Sequence, residues 1–522
     1  MNYADLFRVT LPETALEVAA LLVLVIDLAF ANKAALKVRV AVAAVLGVLG
    51  CCAALALLPC AGSGGFRFGD EILLASGGVA AIAQTGILVL TLLTLLLFVG
   101  ASFTRHAGEY VAVVLMAAAG GMIVASAQDL LVIFVGLELL SLGLYILTAF
   151  NKQSEKSAEA AMKYYLFGGM SAAFLLFGFS YLYGLSGSTN LPRVVYGANI
   201  AAAHGGTPLV ILALTMVAVG LGFKVAAVPF HLWAPDAYEG APAPAAAFIA
   251  SVSKIASFTL LISISYTALN YMRLLILNSH SLAGRSFGVA SVSGGIAPFQ
   301  VEFSVYYGWY LILVALAAAS MIVGNLAALA QSSVRRLLAY SAIAHAGYIL
   351  LGLAFFFWGN RSANAILYYV LTYGLTTIGA FGVIQVVERA TGSDKLDAFL
   401  GLHKRNPLLA AVLLILFLSL AGIPPLVGFW AKFNLFAAVL AVGAGPVSLS
   451  LVALAIAMSA VSLYYYLQVL KRAYVLPAAD DTPIHTHPVT MAVLLAIAAA
   501  VVVLGCFPAI LQNWIASFYP AF

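Results

Sequence analysis

Charge is scarce in this sequence. Only 8% of its 522 residues are Asp, Glu, Lys or Arg, against 64% hydrophobic residues and a mean hydropathy of +1.09. A soluble domain carries roughly a quarter charged residues, so a water-facing globule of this size is excluded. Cysteine is nearly missing too. Cys51, Cys52, Cys60 and Cys506 have no metal-ligand spacing and lie in or beside apolar runs, which marks them as packing residues. Glycine-rich phosphate fingerprints are lacking. Gly120-Gly121 and Gly168-Gly169 fall inside apolar stretches, where close helix packing accounts for them. No nucleotide, flavin, haem or iron–sulfur site is legible, so any redox chemistry belongs to another protein. The net charge of +5 is no nucleic-acid signal, because the charges sit at the ends of apolar runs.

What remains is long apolar runs. They recur near 11–30, 40–59, 80–103, 109–127, 130–150, 158–184, 206–230, 241–269, 305–330, 334–357, 362–388, 407–442, 447–470 and 488–518. Each is long enough to cross a hydrocarbon core of roughly 30 Å. They are apolar on every side, unlike the alternating strands of an outer-membrane barrel. The sequence therefore predicts an all-α polytopic membrane protein of about 14 transmembrane helices. The first run holds Glu13, Glu17 and Asp27 and lacks a basic leader, so it reads as a retained helix. Gly422-Ile423-Pro424-Pro425 interrupts the twelfth run, and the seventh runs into Pro229 and Pro235, so both are expected to be discontinuous.

The basic residues set an orientation. With the amino terminus outside, fifteen of the 24 Lys and Arg fall on the inner side, Lys33, Arg105, Lys163, Arg335, Arg336 and Arg389 among them. Six, including Arg8, Arg67 and Arg193, fall outside, and both termini are then predicted on the outer side. Three are left over: Lys224, Lys254 and Lys432 lie within apolar runs. Lys254 is about 13 residues from the nearer end of its run, near the midplane. An unpaired lysine there costs roughly 2.5–3.5 kcal/mol, or on the order of 8–10 kcal/mol for three. Snorkelling to the interface suits a residue near a helix end and fails for Lys254.

An acid matches these bases. Glu138 sits well inside the fifth run, with Ser141 and Tyr145 on its face; Ser251 and Ser257 flank Lys254 in the same way. Ser341, His345 and Tyr348 line up on the tenth, where His345 serves either packing or the polar stripe. Burial favours the neutral form of an amine and of a carboxylic acid alike, and bringing the two together restores both charges. Such a pair titrates as one unit, and a rearrangement that separates it changes how tightly each proton is held. Proton loading and release at mid-membrane is the chemistry these residue types suit.

Lys224 with Pro229 and Pro424-Pro425 with Lys432 fall about 208 residues and five helices apart. That spacing predicts two inverted five-helix repeats, helices 4–8 (108–270) and 9–13 (304–472). Residues 1–107 would form helices 1–3, 271–303 an irregular outside loop, and 473–522 the C-terminal helix. The stretch from His231 to Pro242 reads as an interfacial loop capping the eighth helix, with Trp233 and Tyr238 as headgroup anchors. His231, Asp236 and Glu239 are too sparse for a metal site.

Three motifs carry a family resemblance. They are the run from Gly222-Phe223-Lys224 through Val228-Pro229-Phe230-His231-Leu232-Trp233-Ala234-Pro235-Asp236 to Pro242, Gly136-Leu137-Glu138-Leu139, and Tyr340-Ser341-Ala342-Ile343-Ala344-His345-Ala346-Gly347-Tyr348. Together they resemble the antiporter-like subunits of respiratory complex I and of multisubunit cation/proton antiporters. Leu11-Pro12-Glu13, the helix count and Lys432 in its Gly422-to-Lys432 motif make the chain most similar to the N-type subunits of bacterial NADH–quinone oxidoreductases. An M-type chain would be expected to carry Glu at the last site, and an L-type chain to extend into a long lateral helix. The resemblance implies a proton relay of Glu138 paired with Lys224, then Lys254 and Lys432, with His345 on its hydrated axis. His231, Trp233 and Asp236 would sit beside the broken seventh helix. It also implies a non-redox translocase subunit of the bacterial cytoplasmic membrane, neighboured by K- and M-type subunits and lipid. NADH, FMN, iron–sulfur clusters and quinone would bind elsewhere in the complex. Ala237 and the long 270–302 stretch depart from the family pattern. A sodium/proton antiporter or membrane-bound hydrogenase subunit is the alternative within transport; a structural scaffold without a proton path is the alternative outside it.

Overall fold

The computed structural model describes residues 3–518 apart from 32, 63, 70, 102, 284–297, 357–360, 442–444 and 479–481, and leaves aside the side chains of 269–283, 298–306 and 361. α1 (Leu11–Ile26) continues into a π-helical turn, Asp27–Ala31, and α2 (Leu36–Leu57) returns across the bundle. A small antiparallel hairpin of β1 (Phe66–Phe68) and β2 (Glu71–Leu74) leads into α3 (Gly78–Phe98). Then come α4 (Ala107–Ser126), α5 (Leu130–Thr148), α6 (Glu155–Ser186) and α7 (Thr207–Lys224). After a break follow α8 (Ala243–Ala283), α9 (Pro298–Leu329), α10 (Val334–Ala354) and α11 (Arg361–Thr391). α12 (Pro407–Ala421) and α13 (Val427–Ala441) stand in series, before α14 (Pro446–Tyr474) and α15 (Pro488–Cys506).

Among the described residues, 13 helical stretches are long and apolar enough to cross a membrane, and α12 with α13 supplies a further broken crossing. The all-α polytopic architecture is the one read from the sequence. Helices suit these segments because hydrocarbon offers no hydrogen bonds, so every backbone group must be satisfied within the segment. Their starts are marked chemically. Asp129 accepts from the Leu131 and Val132 amides, and Asn406 from that of Leu409, while Pro407, Pro446 and Pro488 occupy first turns where no donor is needed.

The centre of the bundle holds α8, α10 and α11, whose apolar windows are 94%, 94% and 89% buried. By contrast α5 and α6 present Val135, Leu142, Met162 and Leu166 outward. α9 and α10 lie backbone to backbone, because a Cβ on Gly347 would come within 2.7 Å of the Met321 nitrogen. Burial, rather than segment length, thus singles out the helices that carry Lys254 and His345.

Several local expectations need correction. α8 runs on to Ala283 and α9 begins at Pro298, so much of the stretch expected as an irregular loop is helical; 284–297 lies outside the described residues. The His231–Pro242 stretch contains a short helix, Trp233–Gly240. Trp233 and Tyr238 are not headgroup anchors but buried, 2% and 0% exposed, and Trp233 stacks on Tyr164 at 4.1 Å. The local polar-aromatic composition hid a tertiary partner on α6. The hairpin and a helix at Leu191–Ala201 also had no counterpart in the apolar-run reading, which detects only spans.

Candidate functional site

The three lysines left unexplained by the charge pattern are all buried, and each has found polar partners. Lys224 is the last residue of α7. Its Nζ lies 3.5 Å from Glu138 Oε1 on α5 and donates to Ser141 Oγ at 2.5 Å. Ser141 in turn donates to the Leu137 carbonyl at 2.5 Å. Glu138 and Ser141, one turn apart, therefore hold the ammonium from one helix face. Tyr145, a further turn along, is buried behind them. Glu138 itself is 27% exposed at the side chain, on the α5 face shared with Val135 and Leu142.

Lys254 solves its burial differently. No acid pairs with it among the described residues; its Nζ donates to two backbone carbonyls, Val225 at 2.8 Å and Ala342 at 3.1 Å. Val225 immediately follows Lys224 at the point where α7 stops, with Ala226 at φ 57° just beyond. A carbonyl at a helix end has no partner four residues on. The break in the seventh crossing thus supplies the acceptor that an intact helix would have used up. Ser251 and Ser257, expected to flank the amine, are buried on the same helix, and Ser251 bonds back to the Ala247 carbonyl.

Lys432 repeats the device at the second break. Its Nζ donates to the carbonyl of Ala421, the last residue of α12, and to Ser459 Oγ on α14, both at 2.8 Å. It also lies 5.5 Å from the centroid of the Tyr348 ring. Gly422, at φ +89°, turns the chain out of α12 with its Cα against the Lys432 side chain: a Cβ there would sit 3.0 Å from Lys432 Cδ.

Between Lys254 and Lys432 stands a phenolic network around His345. His345 Nδ1 is 2.8 Å from the Tyr369 hydroxyl, and Nε2 is 3.4 Å from that of Tyr466, which also bonds to Ser341. Asn325 donates to the Tyr348 hydroxyl and accepts from Tyr465, each at 3.1 Å. His345 is within electrostatic reach of both Lys254 and Lys432. Ser341, His345 and Tyr348 do share the buried face expected of them. Tyr369, Tyr465, Tyr466, Asn325 and Ser459 escaped the sequence reading; polar residues left over inside apolar runs were their signal, as they were for the lysines.

The residues beside the first break have other surroundings. Trp233 donates from Nε1 to the Phe223 carbonyl at 3.0 Å, pinning the short helix to the end of α7. His231 is buried, and burial lowers its proton affinity while a bond at the Pro229 backbone works against that. Asp236 lies on the Lys/Arg-rich side, where Lys163 of α6 reaches it at 2.9 Å and Arg336 of α10 at 2.6 Å. Burial pushes its carboxyl upward, but these two donors outweigh it and hold the group below the ordinary carboxylate range. Arg336 also meets Glu239 at 3.0 Å, and Arg335 pairs with Glu388. Among the described residues no three His, Cys, Asp or Glu side chains come together as a metal site would require.

The arrangement brings Glu138, Lys224, Lys254, His345 and Lys432 into one buried file, bridged by backbone carbonyls and hydroxyls. Isolated charges at this depth are costly, so the file is stable only because every cation is hydrogen-bonded. Amines, an imidazole and a carboxyl are groups suited to holding and passing protons.

Comparison with known proteins follows the same lines. The profile of the NADH:quinone oxidoreductase/Mrp antiporter transmembrane family matches residues 127–284 and 287–461. NADH-quinone oxidoreductase subunit N 2 of Acidobacterium capsulatum is 46% identical, over 99% of this chain and 99% of its own length. Among solved structures, a chain of Thermus thermophilus respiratory complex I is 33% identical over 96% of this chain and 98% of its own, with a TM-score of 0.73. A chain of the Mrp complex from Dietzia sp., 22% identical over 98% of this chain and 96% of its own, shares the fold at a TM-score of 0.76.

Proposed function

The chain belongs to the NADH:quinone oxidoreductase/Mrp antiporter transmembrane family, and on that premise we propose that it is a proton-translocating, non-redox subunit of an NADH–quinone oxidoreductase. The observation that carries this reading is that Glu138, Lys224, Lys254, His345 and Lys432 gather inside the bundle, Glu138 paired with Lys224 and the other three each hydrogen-bonded to carbonyl or hydroxyl groups. Glu138 and Lys224 form the loading pair. Opening their 3.5 Å separation frees the ammonium to give up its proton toward Lys254, whose carbonyl partner adjoins Lys224. His345 and its phenols carry the change to Lys432, the terminal site. Each break supplies one of the two acceptors that hold Lys254 and Lys432, the carbonyls of Val225 and Ala421, while leaving the lysines free of a permanent counter-ion.

In this account quinone reduction elsewhere in the complex drives the first separation, and NADH, FMN, iron–sulfur clusters and quinone all sit in other subunits. The chain works in the bacterial cytoplasmic membrane with both termini outward, beside K- and M-type neighbours. Helices 4–8 and 9–13 act as two inverted units about the central lysine. The partly exposed Glu138 face supports a protein neighbour there, since a carboxyl facing lipid at this depth is costly.

The test is purification of the chain in its native assembly, followed by reconstitution in vesicles. Co-purification of a peripheral NADH-oxidising arm, with quinone-driven acidification that persists in sodium-free buffer, is the expected result. Proton flux that needs sodium, without such an arm, would favour a cation/proton antiporter and overturn the proposal.

A further inference from the structure

On the polar face of α5, Glu138 and Ser141 both meet Lys224, and Ser141 also donates to the Leu137 carbonyl. Tyr145 follows one turn after Ser141 and is 7% exposed. Long side chains on a helix point back over the preceding turn, so the phenol leans toward Ser141. Its hydroxyl is close to Ser141, yet makes no well-formed hydrogen bond among the described residues.

The surroundings fit a phenol held in that position. A Cβ on Gly168 of α6 would come within 1.9 Å of the Tyr145 hydroxyl, so the oxygen lies where another residue at 168 would place its side chain. The Tyr145 ring meets Tyr164 edge-on at 4.7 Å, and Tyr164 stacks on Trp233 at 4.1 Å. Trp233 in turn donates to the carbonyl of Phe223, the residue before Lys224. A chain of rings thus joins the phenol to the helix end that carries the ammonium. Packing does not call for the oxygen, since a phenylalanine would fill nearly the same space and bury no polar atom.

Two donors therefore face one acceptor. Ser141 directs its own hydrogen to Leu137, and the Lys224 ammonium holds the Ser141 oxygen at 2.5 Å. We propose that the Tyr145 hydroxyl takes over Ser141 when Lys224 withdraws, so that the loading pair opens onto a hydrogen bond instead of a vacant acceptor. Tyr145 is a positioning residue: the phenol keeps its proton throughout, and only the donor to Ser141 changes. The closed pair leaves this buried hydroxyl unpaired, and opening the pair supplies its acceptor, so the exchange offsets part of the cost of separating Lys224 from Glu138. The inference rests on the proton-carrying reading above and names a residue that sets how readily its first step occurs.

The test uses the whole complex reconstituted in vesicles. Tyr145→Phe removes the hydroxyl alone. Its thermal unfolding is expected to match or exceed that of the wild type, because the oxygen it lacks is unpaired in the closed state. Its initial rate of quinone-driven acidification is expected to fall about fivefold, equivalent to about 1 kcal/mol. A merely structural tyrosine would lower both together. In a Ser141→Ala background neither donor has its acceptor, so adding Tyr145→Phe is expected to change the rate by less than about twofold. Infrared difference spectra with ring-labelled tyrosine supply a separate readout: a phenol band missing from Tyr145→Phe is expected to shift on quinone reduction. Tyr145→Phe acidifying at the wild-type rate while Glu138→Gln is impaired would overturn the exchange and leave the relay standing. So would an equal loss with and without the Ser141 hydroxyl. Wild-type rates in both Tyr145→Phe and Glu138→Gln would sink the relay and the exchange with it.

Discussion

Replacing Gly422 by Ala crowds Lys432 without altering any ionisable group. Gly422 sits at φ +89°, where a side chain costs roughly 1–2 kcal/mol of backbone strain. The added Cβ would lie 3.0 Å from Lys432 Cδ and 3.2 Å from Nζ, so the lysine has to give by a few tenths of an ångström. Its two bonds, to Ala421 and Ser459, are both 2.8 Å and have little slack. Weakening them by about 1 kcal/mol in total slows a step that depends on Lys432 by about fivefold. Gly187 provides the control. It ends α6 at φ +69° with no heavy atom within 4 Å of its Cβ position, so Gly187→Ala carries the same backbone strain and crowds nothing. The assay is protons released per quinone reduced in reconstituted vesicles, alongside thermal unfolding. Both variants are expected to lose similar stability, and only Gly422→Ala to lose proton output. Equal proton output from two assembled variants would refute the reasoning.

Other outcomes follow from the same contacts. Glu138→Gln keeps the side-chain shape but removes the charge 3.5 Å from Lys224; vesicle acidification is expected to fall about tenfold, the equivalent of losing about 1.4 kcal/mol of a contact to a charged group, with Glu138→Asp in between. Tyr466→Phe deletes the hydroxyl shared by Ser341 and His345, and slower proton output with normal assembly is expected in the same assay. Asp236 tests the clamp between α6 and α10 on the Lys/Arg-rich face. Its folded pKa is depressed, so its contribution to stability is complete above about pH 4, the unfolded value, and is lost as pH falls through the folded value. Thermal unfolding followed downward from neutral pH should therefore be flatter in Asp236→Asn than in the wild type.

The span count and the buried lysines were legible because hydrocarbon is an unforgiving solvent. A run of apolar residues has one cheap structure, and a lysine inside it needs a reason. The breaks were legible from Pro229 and Pro424-Pro425 for a related reason, since proline cannot continue the hydrogen-bond ladder. What could not be read was what the breaks are for. Three of the four acceptors of Lys254 and Lys432 are backbone carbonyls, of Val225, Ala342 and Ala421, and a carbonyl leaves no mark in a sequence. Trp233 was misplaced because an aromatic beside a helix end fits a headgroup anchor as well as a buried stack, and only the position of Tyr164 decides between them. The phenols around His345 come from α10, α11 and α14 and meet only in three dimensions.

Lys254→Met is the most direct test of the central claim. Methionine nearly fills the lysine's volume, and the roughly 2.5–3.5 kcal/mol recovered by removing a midplane charge offsets the loss of bonds to Val225 and Ala342. The complex should therefore assemble and still reduce quinone. Protons moved per quinone are expected to drop by about the share this chain carries. An assembled Lys254→Met complex whose proton-to-quinone ratio equals that of the wild type would contradict a relay through Lys254.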